Sequence, residues 1–105
     1  MLYLMLNESS GRYLAKVGYS DRSNISNRRQ TYYSHNPFAI MRSKCAGGRD
    51  EEITARQRLE KAALARVKGT EWFVVTEKLY DELYEKGMRY FYPNTMSKKV
   101  YFPED

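Results

Sequence analysis

Three charged side chains in this sequence stand among apolar neighbours, and each is of a type that handles charge in chemistry. Lys16 lies in Tyr13-Leu14-Ala15-Lys16-Val17-Gly18-Tyr19-Ser20. That stretch reads as a strand running into a turn at Gly18, and it brings a lysine, a tyrosine and a serine to one end of the fold. Arg28, with Arg29 beside it, shares a helix side with Ile25 and Tyr32 at ~100° per residue. Glu60 falls within the helical arc Ile53, Leu59, Ala63, Leu64 and Val67. Each residue has an ordinary reading beside a chemical one. A lysine on an apolar strand can snorkel at an edge, and an arginine between apolar neighbours more often serves an ion pair or the surface than catalysis. A carboxylate is costly to bury unless it is paired, hydrogen-bonded or bound to metal. Arg56, one turn before Glu60, offers the structural pair, so the helical pattern leaves a salt bridge and a functional carboxylate both open.

The elements that must position these residues follow from periodicity and turn chemistry. Leu2 to Leu6 is apolar at every position, which suits a central strand covered on both faces. Asn7-Glu8-Ser9-Ser10-Gly11 is turn chemistry, so Tyr13 to Tyr19 should return as the second strand of a hairpin. Alternation then puts Tyr13, Ala15, Val17 and Tyr19 on one face, and Leu14, Lys16 and Gly18 on the other. Ser23 or Asn24 can cap a helix from about Ile25 to Ser34, which Pro37 stops. His35, the one histidine, reads as an exposed loop residue. Phe38 to Cys45 reads as a third strand. Asp50, Glu51 and Glu52 suit the positive end of a long helix running to about Lys68. Glu71 to Val75 reads as a short strand, and Thr76 caps a last helix, Glu77 to Lys86, closed by Gly87. Residues 88–105 hold two aromatic runs, Tyr90-Phe91-Tyr92 and Val100-Tyr101-Phe102, which could form a docking hairpin or an interface for a protein partner.

Composition narrows the function classes. At 105 residues the chain is one domain with a modest core. Lys and Arg number 18 against 13 Asp and Glu, and the resulting +5 leans towards a polyanionic partner such as nucleic acid. A single cysteine, Cys45, excludes an intrachain disulfide and a thiolate-rich zinc site, and fits a reducing, cytoplasmic compartment. No apolar run approaches the roughly 20 residues of a membrane span, and no secretory signal is visible, so no membrane partner is expected. The ten tyrosines supply rings with polar tips for a small core, and candidates for stacking on bases.

In its order of pieces the chain resembles the GIY-YIG nuclease superfamily, and more closely the small branch with a Lys-Ile/Val-Gly second motif and a Glu-Trp-Phe strand. The pieces are Leu2-Tyr3, Lys16-Val17-Gly18-Tyr19-Ser20, Arg28-Arg29-Gln30 with Asn36-Pro37 beyond it, Leu59-Glu60, and Gly69-Thr70-Glu71-Trp72-Phe73. The resemblance spans roughly residues 1–76. It implies an α+β fold with a small, mostly antiparallel sheet (the N-terminal hairpin plus the third strand) flanked by helices. Residues 1–87 would form the domain, and 88–105 a C-terminal aromatic extension. It also implies a divalent-metal-dependent endonuclease that hydrolyses DNA phosphodiester bonds with one Mg²⁺ or Mn²⁺. Glu60, at the metal-ligand position, would hold that ion, since hard cations take carboxylate oxygens and keep several waters. Tyr3 would take the proton from the attacking water. A phenol ordinarily ionises near pH 10, and Lys16, where most members have a second tyrosine, would favour the phenolate or accept its proton. Arg28 would clamp the phosphate as charge builds, and Tyr19, Ser20, Arg29 and Tyr32 would contact substrate. Arg29 is the alternative to Arg28, and Glu52 the alternative to Glu60. Glu71 is read as structural, in capping or an arginine pair. The competing reading is a catalytically inactive module of the same fold that binds nucleic acid, a nucleotide or a partner protein, of the kind a phage or mobile element encodes. The oligomeric state is not legible.

Overall fold

A computed structural model describes residues 1–20, 39–93 and 98–103. They build an α+β structure: one antiparallel sheet of six strands and two α-helices. The strands are β1 (Leu2–Ser9), β2 (Arg12–Tyr19), β3 (Ala39–Cys45), β4 (Ala65–Arg66), β5 (Phe73–Val75) and β6 (Val100–Tyr101), in the order β4-β5-β2-β1-β3-β6. The helices are α1 (Arg49–Ala62) and α2 (Glu77–Lys86), and a 3₁₀ turn, Gly87–Tyr90, follows α2. No helix among the described residues is long and apolar enough to cross a membrane.

The N-terminal hairpin closes through a two-residue loop. Ser9 pairs with Arg12, and Ser10 and Gly11 both take positive φ, at 54° and 76°. That is the turn whose twist matches the flanking strands. β1 is then central, with β2 on one side and β3 on the other. Leu2, Leu4 and Leu6 face the main core with Ala15, Val17, Ala55, Leu59 and Leu83. Tyr3 and Met5 face the other way and cluster with Ala39 and Met41, against which Met1 and Trp72 pack. An all-apolar strand thus buries both of its faces. The chain start is tied in place as well, because Ser20 N–H donates to the Met1 carbonyl at 2.9 Å and the terminal ammonium donates to the Ser20 carbonyl at 2.6 Å.

Two expected elements differ. The long helix ends at Ala62 rather than near Lys68, because residues 64–67 pair with 72–74 instead. Leu64 N–H donates to the Val74 carbonyl and Val67 N–H to that of Trp72, both at 2.8 Å. The buried side of α1 is Glu52, Ala55 and Leu59. The arc drawn through Ile53 and Leu64 does not exist, and those side chains are 42% and 67% exposed. In the tail the two aromatic runs do not pair with each other. Val100–Tyr101 joins the sheet beside β3 as β6, while Tyr90 closes the 3₁₀ turn and Phe91 enters the core. The expected helix at about 25–34, with Arg28, Arg29 and Tyr32, lies outside the described residues, as do His35 and Phe38.

Candidate active site

β5 covers only part of β2. Its pairing runs from Tyr13–Val75 to Ala15–Phe73, so among the described residues the outer edge of β2 from Lys16 to Tyr19 has no strand partner. One flank of α1 and the residues just ahead of β5 meet at this edge, which gives the sheet a polar corner beside its apolar faces.

Tyr3 is the base of the corner. It pairs directly with Gly18, and its Cζ and Oη occupy the space that a Cβ on residue 18 would fill. The ring therefore lies across β2, and only glycine permits this. Tyr3 is 1% exposed. Lys16 follows on the same strand face, paired with Met5, and is 8% exposed. From Lys16 a line of alternating charges leads to α1. Lys16 Nζ stands 3.7 Å from Glu71 Oε2. Arg56 Nη1 donates to Glu71 Oε1 at 3.0 Å, and Arg56 Nη2 lies 3.7 Å from Glu52 Oε2. One hydrogen-bonded ion pair thus sits between two longer contacts. The middle carboxylate, Glu71, is 44% exposed at its side chain, whereas that of Glu52 is 12% exposed. Beside this line the Arg49 guanidinium lies 5.5 Å from the centre of the Tyr19 ring.

Tyr3, Lys16, Tyr19 and Ser20 therefore lie towards one end of the hairpin, with Tyr3 and Lys16 on one sheet face and Tyr19 on the other, against the main core. Glu60 does not join them. It is exposed on α1 and lines a shallow hollow with Thr54, Gln57, Arg58 and Lys61, and it makes no ion pair among the described residues. The carboxylate of α1 that turns towards the sheet is Glu52, on the 52–55–59 side that packs against the main-core face, opposite to Tyr3. Glu71 is held by an arginine, as its structural reading anticipated. Arg49 and the bridging role of Arg56 were not anticipated. The Glu52–Arg56 spacing of one turn was visible in the sequence, whereas nothing marked Arg49.

No family model, curated protein or solved structure matches this chain.

As chemistry, the corner offers a phenol, a lysine, an arginine and two carboxylates that share that arginine. No three His, Cys, Asp or Glu side chains converge among the described residues. One hard divalent ion does not need such a group, since Mg²⁺ is commonly held by one or two carboxylates with waters completing the shell. Glu52 and Glu71 fit that description; Glu60, turned outward, does not.

Proposed function

We propose that this chain is a divalent-metal-dependent endonuclease of GIY-YIG type that hydrolyses DNA phosphodiester bonds, with Glu52 in the role first given to Glu60. The observation that carries this reading is the Tyr3 ring laid across Gly18 beside Lys16, with Glu52 connected to the pair through Glu71 and Arg56. The antiparallel hairpin, a third strand on the far side of β1 and a helix bearing the inward carboxylate support the fold half of the proposal.

The residues divide the work. Tyr3 accepts the proton of the attacking water, and Lys16 favours the phenolate or relays the proton. Arg56 and Lys16 meet phosphate oxygens as substrate displaces Glu71, and Arg28 keeps the role of phosphate clamp. Glu52 would hold Mg²⁺ or Mn²⁺, with Glu71 within reach of the same place. A bound ion there supplies charge stabilisation for the leaving oxygen. Tyr19 and Ser20 lie at the strand end where the DNA backbone would arrive.

Plasmid cleavage with Mg²⁺, Mn²⁺ or EDTA tests this. Tyr3→Phe and Glu52→Gln are each expected to lower metal-dependent nicking roughly hundredfold or more, the range of a lost general base or its equivalent. Glu60→Gln should cut like wild type. A folded wild type that never cuts would overturn the nuclease reading and leave a module that keeps the fold and only binds. Full activity in Glu52→Gln would remove Glu52 from the mechanism.

A further inference from the structure

Away from the Tyr3 corner, a hollow of about 710 Å³ opens between α1, α2 and the 3₁₀ turn. Arg58, Lys61, Lys86 and Arg89 stand around it with a single carboxylate, Glu82, which is paired to Lys86 at 2.8 Å. Arg58 comes two residues after Arg56, about 200° round the helix, so α1 separates this surface from the charged line to Lys16. Arg58 Nη1 donates to the Phe91 carbonyl at 2.8 Å, which holds one cation in place before any ligand arrives. Tyr90 also lines the hollow, and its plane is set by Phe91, perpendicular to it at 84° with ring centres 5.1 Å apart. A second hollow of about 690 Å³ shares Arg58 and Lys61 and continues over the outer face of α1 past Thr54, Gln57 and the carboxylate of Glu60.

Shared cations between two adjoining hollows make a track, not a point site, and a track suits an extended polyanion. Arginine forks and lysines match phosphate oxygens. A ring held in one plane is a stacking platform for a base, which an acidic peptide would leave unused. We infer that this surface binds single-stranded nucleic acid, with phosphates at Arg58, Lys61 and Arg89 and a base against Tyr90. The inference goes beyond cleavage and stands whether or not the Tyr3 corner cuts.

Fluorescence anisotropy of a labelled oligo(dT) in EDTA, at several salt concentrations, tests it without turnover. Lys61→Glu combined with Arg89→Glu should weaken binding about tenfold or more, and should lower the magnitude of the log–log salt slope by roughly 1.4 or more. Lys99→Glu, half that charge change placed beside β6, should bind like wild type. Tyr90→Leu should weaken binding about fivefold or more with an unchanged salt slope. Thermal melting confirms that each variant is folded. A logarithmic loss in Lys99→Glu half that of the double variant or larger would mean diffuse attraction and overturn the site. Binding kept in the double variant but lost in Arg49→Glu would move the contact to the Tyr3 corner and overturn it too. Competition by poly-glutamate as strong as by oligo(dT) would overturn the nucleic-acid assignment.

Discussion

Gly18 shows how one missing side chain organises the corner. The Tyr3 ring fills the volume that a Cβ would need, and both residues sit in paired strands that cannot separate without losing ladder hydrogen bonds. Gly18→Ala should therefore force the ring out of place and cost about 1–3 kcal/mol, the usual penalty of overpacking, read as a lower urea midpoint. Alanine suits a strand at least as well as glycine, so an unchanged midpoint would show that the ring relocates freely. Activity should fall with stability here, because the displaced group is the proposed base. Arg42 illustrates a different residue-scale effect. The β1–β3 register shifts between Leu4 and Met5, pairing Leu4 with Ser43 and Met5 with Met41, so Arg42 falls in the bulge. A bulge re-aims a side chain. Arg42 is 7% exposed, donates from Nε to the Tyr84 carbonyl at 2.6 Å, and lies 3.8 Å from that residue's ring centre.

At the scale of elements, α2 was legible from end to end. Thr76 Oγ1 accepts from Leu79 N–H at 3.0 Å, Glu77 to Lys86 is helical, and Gly87 ends it with φ of 57°. These are local signals: a hydroxyl at the cap, an apolar side, and a glycine where left-handed backbone is needed. Thr76→Ala should cost about 1 kcal/mol, measured by chemical denaturation. A variant as stable as wild type would mean that packing of Leu79, Tyr80 and Leu83 alone sets the start of the helix. The other helix was legible only at its beginning. Residues 63–67 carry helix-compatible side chains, so local pattern could not reveal that their backbone groups would pair with residues 72–74. That pairing ends the helix at Ala62.

The whole molecule is closed by its C-terminal residues. Tyr92 Oη donates to the Glu51 carbonyl at 2.8 Å. Lys98 Nζ reaches both Glu51 Oε2 at 2.7 Å and the Ala46 carbonyl at 2.8 Å. The Lys98 ammonium holds the Glu51 carboxyl below its ordinary range, helped by the Gly48 N–H. Burial, and then the charge of Glu51, push the Tyr92 phenol up to about 12. A phenol whose folded value is raised stabilises the fold fully below its unfolded value near 10, and that contribution fades as pH rises through the folded value. Stability should accordingly fall from about pH 10 towards 12. Tyr92→Phe should be less stable at pH 8 by about 1 kcal/mol for the lost hydrogen bond, yet should lose less between pH 8 and 11. Tyr13 and Tyr80, raised mainly by burial, keep part of the slope in the variant. Urea midpoints at the two pH values decide it, and equal slopes would remove Tyr92 as a source of the alkaline loss.

From residue order alone, several features of this protein were determined: an α+β chain, a tight N-terminal hairpin, a central strand buried on both faces, a capped last helix, and Lys16 and Gly18 on one face of the second strand. All of these rest on interactions between near neighbours or on a period of two along a strand, and those are written directly into the sequence. Only tertiary structure decided that α1 stops at Ala62, that Glu52 and not Glu60 turns inward, that Glu71 and Arg56 connect it to Lys16, and that the tail adds a strand beside β3. Those choices depend on which distant backbone groups find each other. At ~100° per residue, positions 52 and 60 stand about 80° apart round the helix axis, and a rotation of that size, invisible to local propensity, decides which of them is buried.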